Sequence, residues 1–391
     1  MRHSAILDIG SSKVICMIVG AGDDGAIIVH GMGVVQYNGY RADELPDSRE
    51  LADAVRSAVT DAVQESQKRI REVCVGVPTP FMKVVDHEGR AEVNSRDGRI
   101  SAEDIEFLLE DSLGAGEPEG YSLIHSTPSR YCVDGTSIEG SPIGLPAQEL
   151  SANVSHCYVE DAYKKLVTGV LRGMGLEADM FVSEALATAY FAIRDDARAG
   201  SALLVDCGGM HTDIALIKDN ALCACNSIAM GGRHFTSDLC YGLRVPYDVA
   251  EDIKKRYVFG LDYGESSELV RVPGEGVVEI EHSMVQLIVE SRAEELCEEI
   301  GAVCGEYAGT DTPIWLVGGG LGLMRGSADF LEKQTGRSVI TTMPFTSRTS
   351  SVGYAAAFSL ADFVLYRCGK TNALKSTGRR LMRSLAGSFI N

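Results

Sequence analysis

Two aspartates, Asp8 and Asp206, each close an apolar run that a folded chain would bury as a strand, in "SAILDIGSSKVICMIV" and "LLVDCGGMHTDIAL". An ionised carboxylate at the end of a buried strand is costly unless a partner charge or a metal ion faces it. Behind each aspartate comes a turn nearly stripped of side chains: Gly10, Ser11, Ser12 and Lys13 after the first, Gly208 and Gly209 after the second. Glycine lets backbone N–H groups approach an anion closely, while hydroxyls and a lysine add donors and positive charge. Such turns suit phosphate. Two carboxylates at matching positions suit a hydrated Mg²⁺, which keeps its waters and is held loosely by carboxylates and substrate phosphates. Taken singly, each aspartate is equally a cap or turn residue.

A third glycine run, Gly318, Gly319 and Gly320, follows the strand-like "IWLV". A helix is expected from Leu321 onward, and a glycine run opening a helix suits a nucleotide pressed on backbone. A plain strand-to-helix turn is the alternative.

The elements that must position these residues follow from periodicity. The start reads as three strands joined by tight turns at Gly10 and at "GAGDDG". Leu51, Val55, Val59 and Val63 then repeat every four residues as one helical face, and "EVCVGVP" is a short buried strand. "VEDAYKKLVTGVLRGMGL" is helical, "EADMFV" a strand and "SEALATAYFAIRD" a helix, after which hairpins return. The two aspartate hairpins lie about 200 residues apart and are built alike. One βββαβα unit present twice, with its copies face to face, predicts a clamp. The alternative is two unrelated hairpins that share turn chemistry.

Between about Phe81 and His156 the texture changes to charged, glycine- and proline-punctuated segments. A short helix there, "SAEDIEFLLEDSL", has Ser101 and Asp104 as capping residues. This is an inserted small domain. At the other end, no acids follow Asp362, while Arg367, Lys370, Lys375, Arg379, Arg380 and Arg383 accumulate. Leu381, Met382, Leu385 and Phe389 share one side of a helical wheel, with the three arginines on the other. That is the composition of a short interfacial helix drawn to anionic lipid. A helix docked on the protein's own core, or a frayed end, is the alternative.

Composition bounds the rest. With 391 residues, 45% of them hydrophobic, the chain suits a soluble two-domain or bilobal protein. A formal charge of −19 repels nucleic-acid backbones, so no nucleic-acid partner is expected. The eleven cysteines are scattered, and Cys223 and Cys225 alternate along an apparent strand rather than forming a ligand pair. Reduced, cytosolic thiols are expected. The N-terminal run, broken by Asp8 and Lys13, makes a poor signal peptide, and no segment reaches the roughly 18 apolar residues of a spanning helix.

The succession "LDIGSSK", "SEALATAYF", "LVDCGGMHTDIAL", "GGRHFTSDLCYGLRVPYDVAEDIKKRY", "LVGGG" and "SVGYAAAF" resembles the phosphate-1, connect-1, phosphate-2, adenosine and connect-2 motifs of the actin/Hsp70/sugar-kinase superfamily. Within it the chain resembles the FtsA family of bacterial cell-division actin homologues over nearly its whole length. The resemblance implies an α/β, duplicated actin-like (ribonuclease H-like) two-lobed fold with a small inserted α+β domain. It divides the chain into a first lobe, 1–80 with 158–184 and about 340–366, the insert 81–157, and a second lobe 185–339 whose outer subdomain is about 231–310. Residues 367–391 remain as linker and C-terminal amphipathic membrane-targeting helix. The resemblance puts Asp8 and Asp206 near Mg²⁺, and Gly10, Ser11, Ser12 and Lys13 on one side of the phosphates of ATP. On the other side it puts Gly208, Gly209 and Thr212. Glu184 takes the position that orients the attacking water. Gly232, Glu251 and Lys254 fall where the family holds ribose and adenine, and Gly318 to Gly320 complete that pocket. Without the resemblance, Glu251 and Lys254 are an i,i+3 pair on a solvated helix.

One departure stands out. Phosphate-2 usually reads D-x-G-G-G-T-T-D, and here Met210 and His211 replace the third Gly and first Thr. A side chain at Met210 crowds the γ-phosphate or turns the hairpin away, so weak or absent ATPase activity is expected. The resemblance further implies filaments, tethering of the FtsZ ring through its C-terminal peptide with Arg292 at that contact, and a peripheral place on the cytoplasmic face of the membrane at the division site. The insert would join neighbouring subunits and other division proteins. A PilM-like component of type IV pilus assembly and a small-molecule kinase on the same fold are the rival readings.

Overall fold

The computed structural model describes residues 3–22, 25–41, 44–274, 276–342 and 352–367. The chain opens as an antiparallel meander, β1 (His3–Ile9), β2 (Lys13–Ala21) and β3 (Ile27–Gln36), with Asp8 opposite Ile15 across the first hairpin. Helix α1 (Ser48–Ser66) is capped by Asp47, whose carboxylate accepts from the N–H groups of Arg49 and Glu50. Its expected apolar row is widened by alanines: Leu51, Ala54, Val55, Ala58, Val59 and Ala62 are all buried. Small residues at every fourth position let the helix lie close on β3. Strand β4 (Glu72–Val77) then pairs in parallel with β1.

The chain next leaves for the insert, with β5 (Met82–Glu92), α2 (Ala102–Ser112), β6 (Tyr121–Val133), β7 (Thr136–Ile138) and β8 (Glu149–Glu160). The strands form one sheet in the order β5-β8-β6-β7 around their own small core of Ile105, Leu108, Leu150 and Val154. Ser101 and Asp104 form the expected capping box on α2. After α3 (Asp161–Arg172), strand β9 (Glu177–Ser183) completes the first lobe's sheet, β3-β2-β1-β4-β9.

Helices α4 (Glu184–Ala192) and α5 (Asp195–Ala199) lead to a second copy of the plan. It contains the meander β10 (Ser201–Cys207), β11 (Thr212–Lys218) and β12 (Ala221–Ile228), then α6 (Gly232–Leu243) and α7 (Tyr247–Arg256). A two-stranded ribbon, β13 (Ser267–Val272) and β14 (Gly276–Glu281), precedes the long helix α8 (His282–Tyr307). Strand β15 (Ile314–Val317), α9 (Ser327–Thr335) and β16 (Val339–Thr341) close the sheet as β12-β11-β10-β15-β16. Helix α10 (Ala355–Asp362) returns to pack on α4 and β1.

Both sheets thus carry a three-stranded meander with parallel neighbours beside its first strand, the repetition that the paired hairpins predict. Ligands of such sheets collect beyond the carboxyl ends of the parallel strands, where Asp8, Asp206 and Gly318 all lie. The helix expected from Leu321 onward is not formed; residues 318–326 run as turns and bends with a bridge from Arg325 to Val258, and α9 begins only at Ser327. The reason is the glycine density: Gly318, Gly319, Gly320 and Gly322 would each lose backbone entropy in a helix, and Gly318 sits at φ 87°. Among the described residues the cysteines are free, with Cys223 and Cys225 in β12. The tail residues Arg379, Arg380, Leu381, Met382, Arg383, Leu385 and Phe389 lie outside the described residues.

Candidate functional site

The two meanders face each other across a cleft of about 530 Å³, lined from both lobes. Their first turns close in the same way: Gly10 N–H donates to the Lys13 carbonyl at 3.0 Å, and Gly208 N–H to the His211 carbonyl at 2.8 Å. The tips also touch. Met210 N–H donates to Ser11 Oγ at 3.1 Å, and a Cβ on Gly209 would stand only 2.8 Å from Ser12 Oγ. The glycine turn after β15 packs behind them, where Gly320 N–H donates to the Cys207 carbonyl at 2.7 Å. A side chain on Gly320 would overlap the Gly208 carbonyl oxygen, so three backbone segments meet at a distance only glycine allows.

Besides Glu251, four carboxylates line this cleft: Asp8, Glu184, Asp206 and Asp213. Burial raises Asp8 to about 7, with Lys13 pulling it down and Asp206 pushing it further up. Burial likewise raises Asp206 to about 6 and Asp213 to about 7, and holds Glu184 well above the usual carboxylate range. Glu184 Oε1 is fully buried with no hydrogen-bond partner among the described residues. Lys13 is the positive group facing this cluster, and burial lowers its own proton affinity. Its ammonium donates to the Gly353 carbonyl and lies 4.7 Å from the Tyr354 ring centre. A buried surplus of negative charge needs an added cation. Among the described residues no three His, Cys, Asp or Glu side chains converge as a ligand set. The donors therefore fit a cation held through its own waters, as Mg²⁺ is, rather than one caged by protein.

On the second-lobe side, Lys254 is buried rather than solvated. Its Nζ donates to Glu251 Oε2 at 2.6 Å, Thr236 Oγ1 at 2.9 Å and the Gly232 carbonyl at 3.0 Å. The reading of Glu251 and Lys254 as an exposed pair is corrected, because three acceptors satisfy the three donors of the ammonium inside the lobe. Glu251 is held below the usual range despite its burial by the hydrogen bonds from Lys254 and Thr236.

Most residues singled out from the sequence line the one cleft: Asp8, Gly10, Ser11, Ser12, Lys13, Glu184, Asp206, Gly208, Gly209, Gly232, Glu251, Lys254 and Gly318 to Gly320. Thr212 does not. Its hydroxyl donates into the core, to the Met230 carbonyl at 2.8 Å, because β11 has begun by this residue and its alternation turns the side chain inward. His211, not Met210, lines the cleft. Arg292 lies elsewhere, on α8, paired with Asp238 and Glu295 at 2.6 Å each beside a groove of about 340 Å³ that carries Tyr241 and Leu287.

Sequence reading missed Asp213, which follows Thr212 at the head of β11 and is the last residue of the phosphate-2 pattern. It also missed Tyr40, buried under His211 with ring centres 5.1 Å apart and edge-on to Phe81 at 4.9 Å. Nothing around Tyr40 in the sequence marks it.

A family model described as "Cell division protein FtsA" matches residues 203–359, and one described as "SHS2 domain inserted in FTSA" matches residues 82–157. Cell division protein FtsA of Neisseria meningitidis serogroup B is 27% identical over 85% of this chain and 81% of its own length. Among solved structures, the PilM-PilN type IV pilus biogenesis complex superposes with a TM-score of 0.63 at 16% identity, covering 92% of this chain and 97% of that one. MreB 5 of Spiroplasma citri bound to AMPPNP superposes with a TM-score of 0.56 at 13% identity, covering 93% and 96%. At these identities the two structures demonstrate the actin-like fold alone.

Proposed function

Because the chain belongs to the FtsA family of actin-like cell-division proteins, we propose that it binds ATP between its lobes, polymerises in that closed state and tethers the FtsZ ring to the cytoplasmic membrane. The observation that carries the nucleotide part is the cleft itself, two alike glycine turns and the carboxylates of Asp8, Glu184, Asp206 and Asp213 brought together from opposite lobes. Gly10, Ser11, Ser12, Lys13, Gly208 and Gly209 surround the phosphates; Gly232, Glu251, Lys254 and Gly318 to Gly320 bound the ribose and adenine. Asp8 and Asp206 are the residues that would hold Mg²⁺. That ion would neutralise phosphate charge and stabilise the charge that develops on phosphoryl transfer. Glu184 faces the water side of the γ-phosphate. Thr212 contributes packing rather than a phosphate contact.

Turnover is slow or absent. Met210 N–H, which stands where the phosphate-2 pattern has its third glycine, already donates to Ser11 Oγ and is not free to meet a phosphate oxygen. The cleft therefore serves assembly, with bound nucleotide holding the lobes together.

The groove beside Arg292 is the proposed seat of the FtsZ C-terminal peptide, since Tyr241 is 90% exposed and Leu287 62% exposed there, with charged Asp238, Arg292 and Glu295 around them. No described helix is long and apolar enough to cross a membrane. The basic amphipathic segment 371–391 is the proposed anchor, weak as one copy and strengthened when a filament presents many. The deciding experiment co-sediments the full chain with vesicles of anionic lipid, with ATP and Mg²⁺, with FtsZ, and with or without residues 371–391. Pelleting of FtsZ that needs both the chain and its tail supports the reading. Pelleting that is indifferent to the tail, or to the presence of the chain, refutes it.

A further inference from the structure

Strand β9 is the outer strand of the first lobe's sheet, and its last residue, Ser183, carries Glu184 into the cleft as the first residue of α4. An outer strand leaves backbone N–H groups without a ladder partner. At Ser183 that partner comes from the insert: the buried N–H donates to His125 Nε2 at 3.1 Å. His125 reaches it because β6 is irregular at this point, its pairing with β8 shifting between Leu123 and His125. The imidazole is 4% exposed, and Phe363 meets it edge-on with centres 5.7 Å apart. Ser183 is fully buried and spends its own hydroxyl capping α4, accepting from Leu186 N–H at 3.1 Å. Behind Glu184 the fit is closed by Gly76, where a Cβ would overlap the carboxylate oxygen. The start of α4 is thus fixed by two hydrogen bonds at Ser183, one of them from the insert, while Gly76 closes in the Glu184 side chain.

We propose that His125 is a positioning residue: through the Ser183 N–H it sets the start of α4, and with it the aim of Glu184, so that the inserted domain is mechanically joined to the phosphate end of the cleft. This rests on the reading of Glu184 as facing the γ-phosphate. Accepting at Nε2 requires that nitrogen to be unprotonated, which the buried, apolar surroundings of His125 favour. Movement of β6 when the insert meets another molecule would then reach Glu184 through one hydrogen bond, with no rearrangement of either sheet.

The test uses the full chain and four forms: the parent, His125→Phe, which keeps the ring and removes the acceptor, His125→Gln, whose side-chain carbonyl can still accept, and Glu184→Gln. Affinities for Mg²⁺-AMPPNP and Mg²⁺-ADP are measured by calorimetry. The ratio of the two affinities is expected to change at least threefold in His125→Phe with ADP binding kept, to return toward the parent in His125→Gln, and to show no further change when His125→Phe is added to Glu184→Gln. A ratio unchanged in His125→Phe, or an equal change with and without Glu184→Gln, overturns the proposal. If the parent binds neither nucleotide, the proposed function fails separately. Amide exchange then still decides on His125: faster exchange at Ser183 and Leu186 in His125→Phe, with β10 and β11 unaffected, supports the link, and unchanged exchange there removes it.

Discussion

The backbone N–H of Met210 donates to the Ser11 hydroxyl at 3.1 Å, a bond between residues 199 positions apart that joins the tips of the two glycine turns. It is one of the points where the lobes meet directly across the cleft, with Tyr40 on His211 as another. A net contribution of about 1 kcal/mol is ordinary for such a bond. Ser11→Ala should therefore lower the unfolding free energy by that order in nucleotide-free protein, read from denaturant midpoints at unchanged slope. Added Mg²⁺-ATP should stabilise this variant less than the parent; equal stabilisation would remove Ser11 from the phosphate contacts.

The buried carboxylates make stability depend on pH in a stated direction. Asp8 has its folded value raised to about 7 from an ordinary 3.8, so the native state keeps a proton that the unfolded chain gives up. Its contribution is fully present below about pH 4 and is lost as pH rises through 7, at about 1.4 kcal/mol per pH unit over that window. Asp8→Asn stays neutral throughout. In solution freed of divalent ions, the stability of Asp8→Asn relative to the parent should grow from pH 5 to pH 8. Melting curves of the two proteins run in parallel check this, and a difference that is flat with pH contradicts it.

Gly320→Ala should act far more strongly than an exposed glycine change. Its Cβ would overlap backbone atoms of Cys207 and Gly208, which cannot turn aside as a side chain can. Overpacking of this kind costs about 1–3 kcal/mol and here pushes apart the turns that form the cleft. Loss of nucleotide binding together with a lower melting temperature is expected. Gly305→Ala on α8, where the added atom meets open space, is the matched control and should leave nucleotide binding unchanged without lowering the melting temperature.

Lys254→Met removes the ammonium that satisfies Glu251, Thr236 and the Gly232 carbonyl together. Breaking a buried pair from one side costs about 3–5 kcal/mol, since the remaining carboxylate stays desolvated. ADP affinity should fall at least tenfold by calorimetry. The double change Glu251→Gln with Lys254→Met should recover part of the stability lost; a double variant less stable than Lys254→Met alone would show that the two residues do not act as a pair.

The duplicated meanders, their aspartate ends and their glycine turns were legible from the sequence because each is local. A strand shows as an apolar run, a turn as the glycine that permits it, and the same order of residue types recurs in both halves. The capping box of Ser101 and Asp104 and the buried row of α1 were readable for the same reason. What depended on distant segments was not. At 318–326 the glycine density that disfavours a helix was in plain view, but the packing of Gly318 and Gly320 on Cys207 and Gly208 that holds the turns in place was not. Thr212 turned into the core and Asp213 toward the cleft according to which side of β11 each occupies once β10 and β12 pair with it. Lys254 left solvent because Gly232 and Thr236 came within reach, and Tyr40 and His125 acquired places beside the cleft from chain segments far away in sequence. Local residue types determined which chemistry the chain could hold; long-range packing decided which side chains face it, since burial and partners are set by neighbours that the sequence order does not reveal.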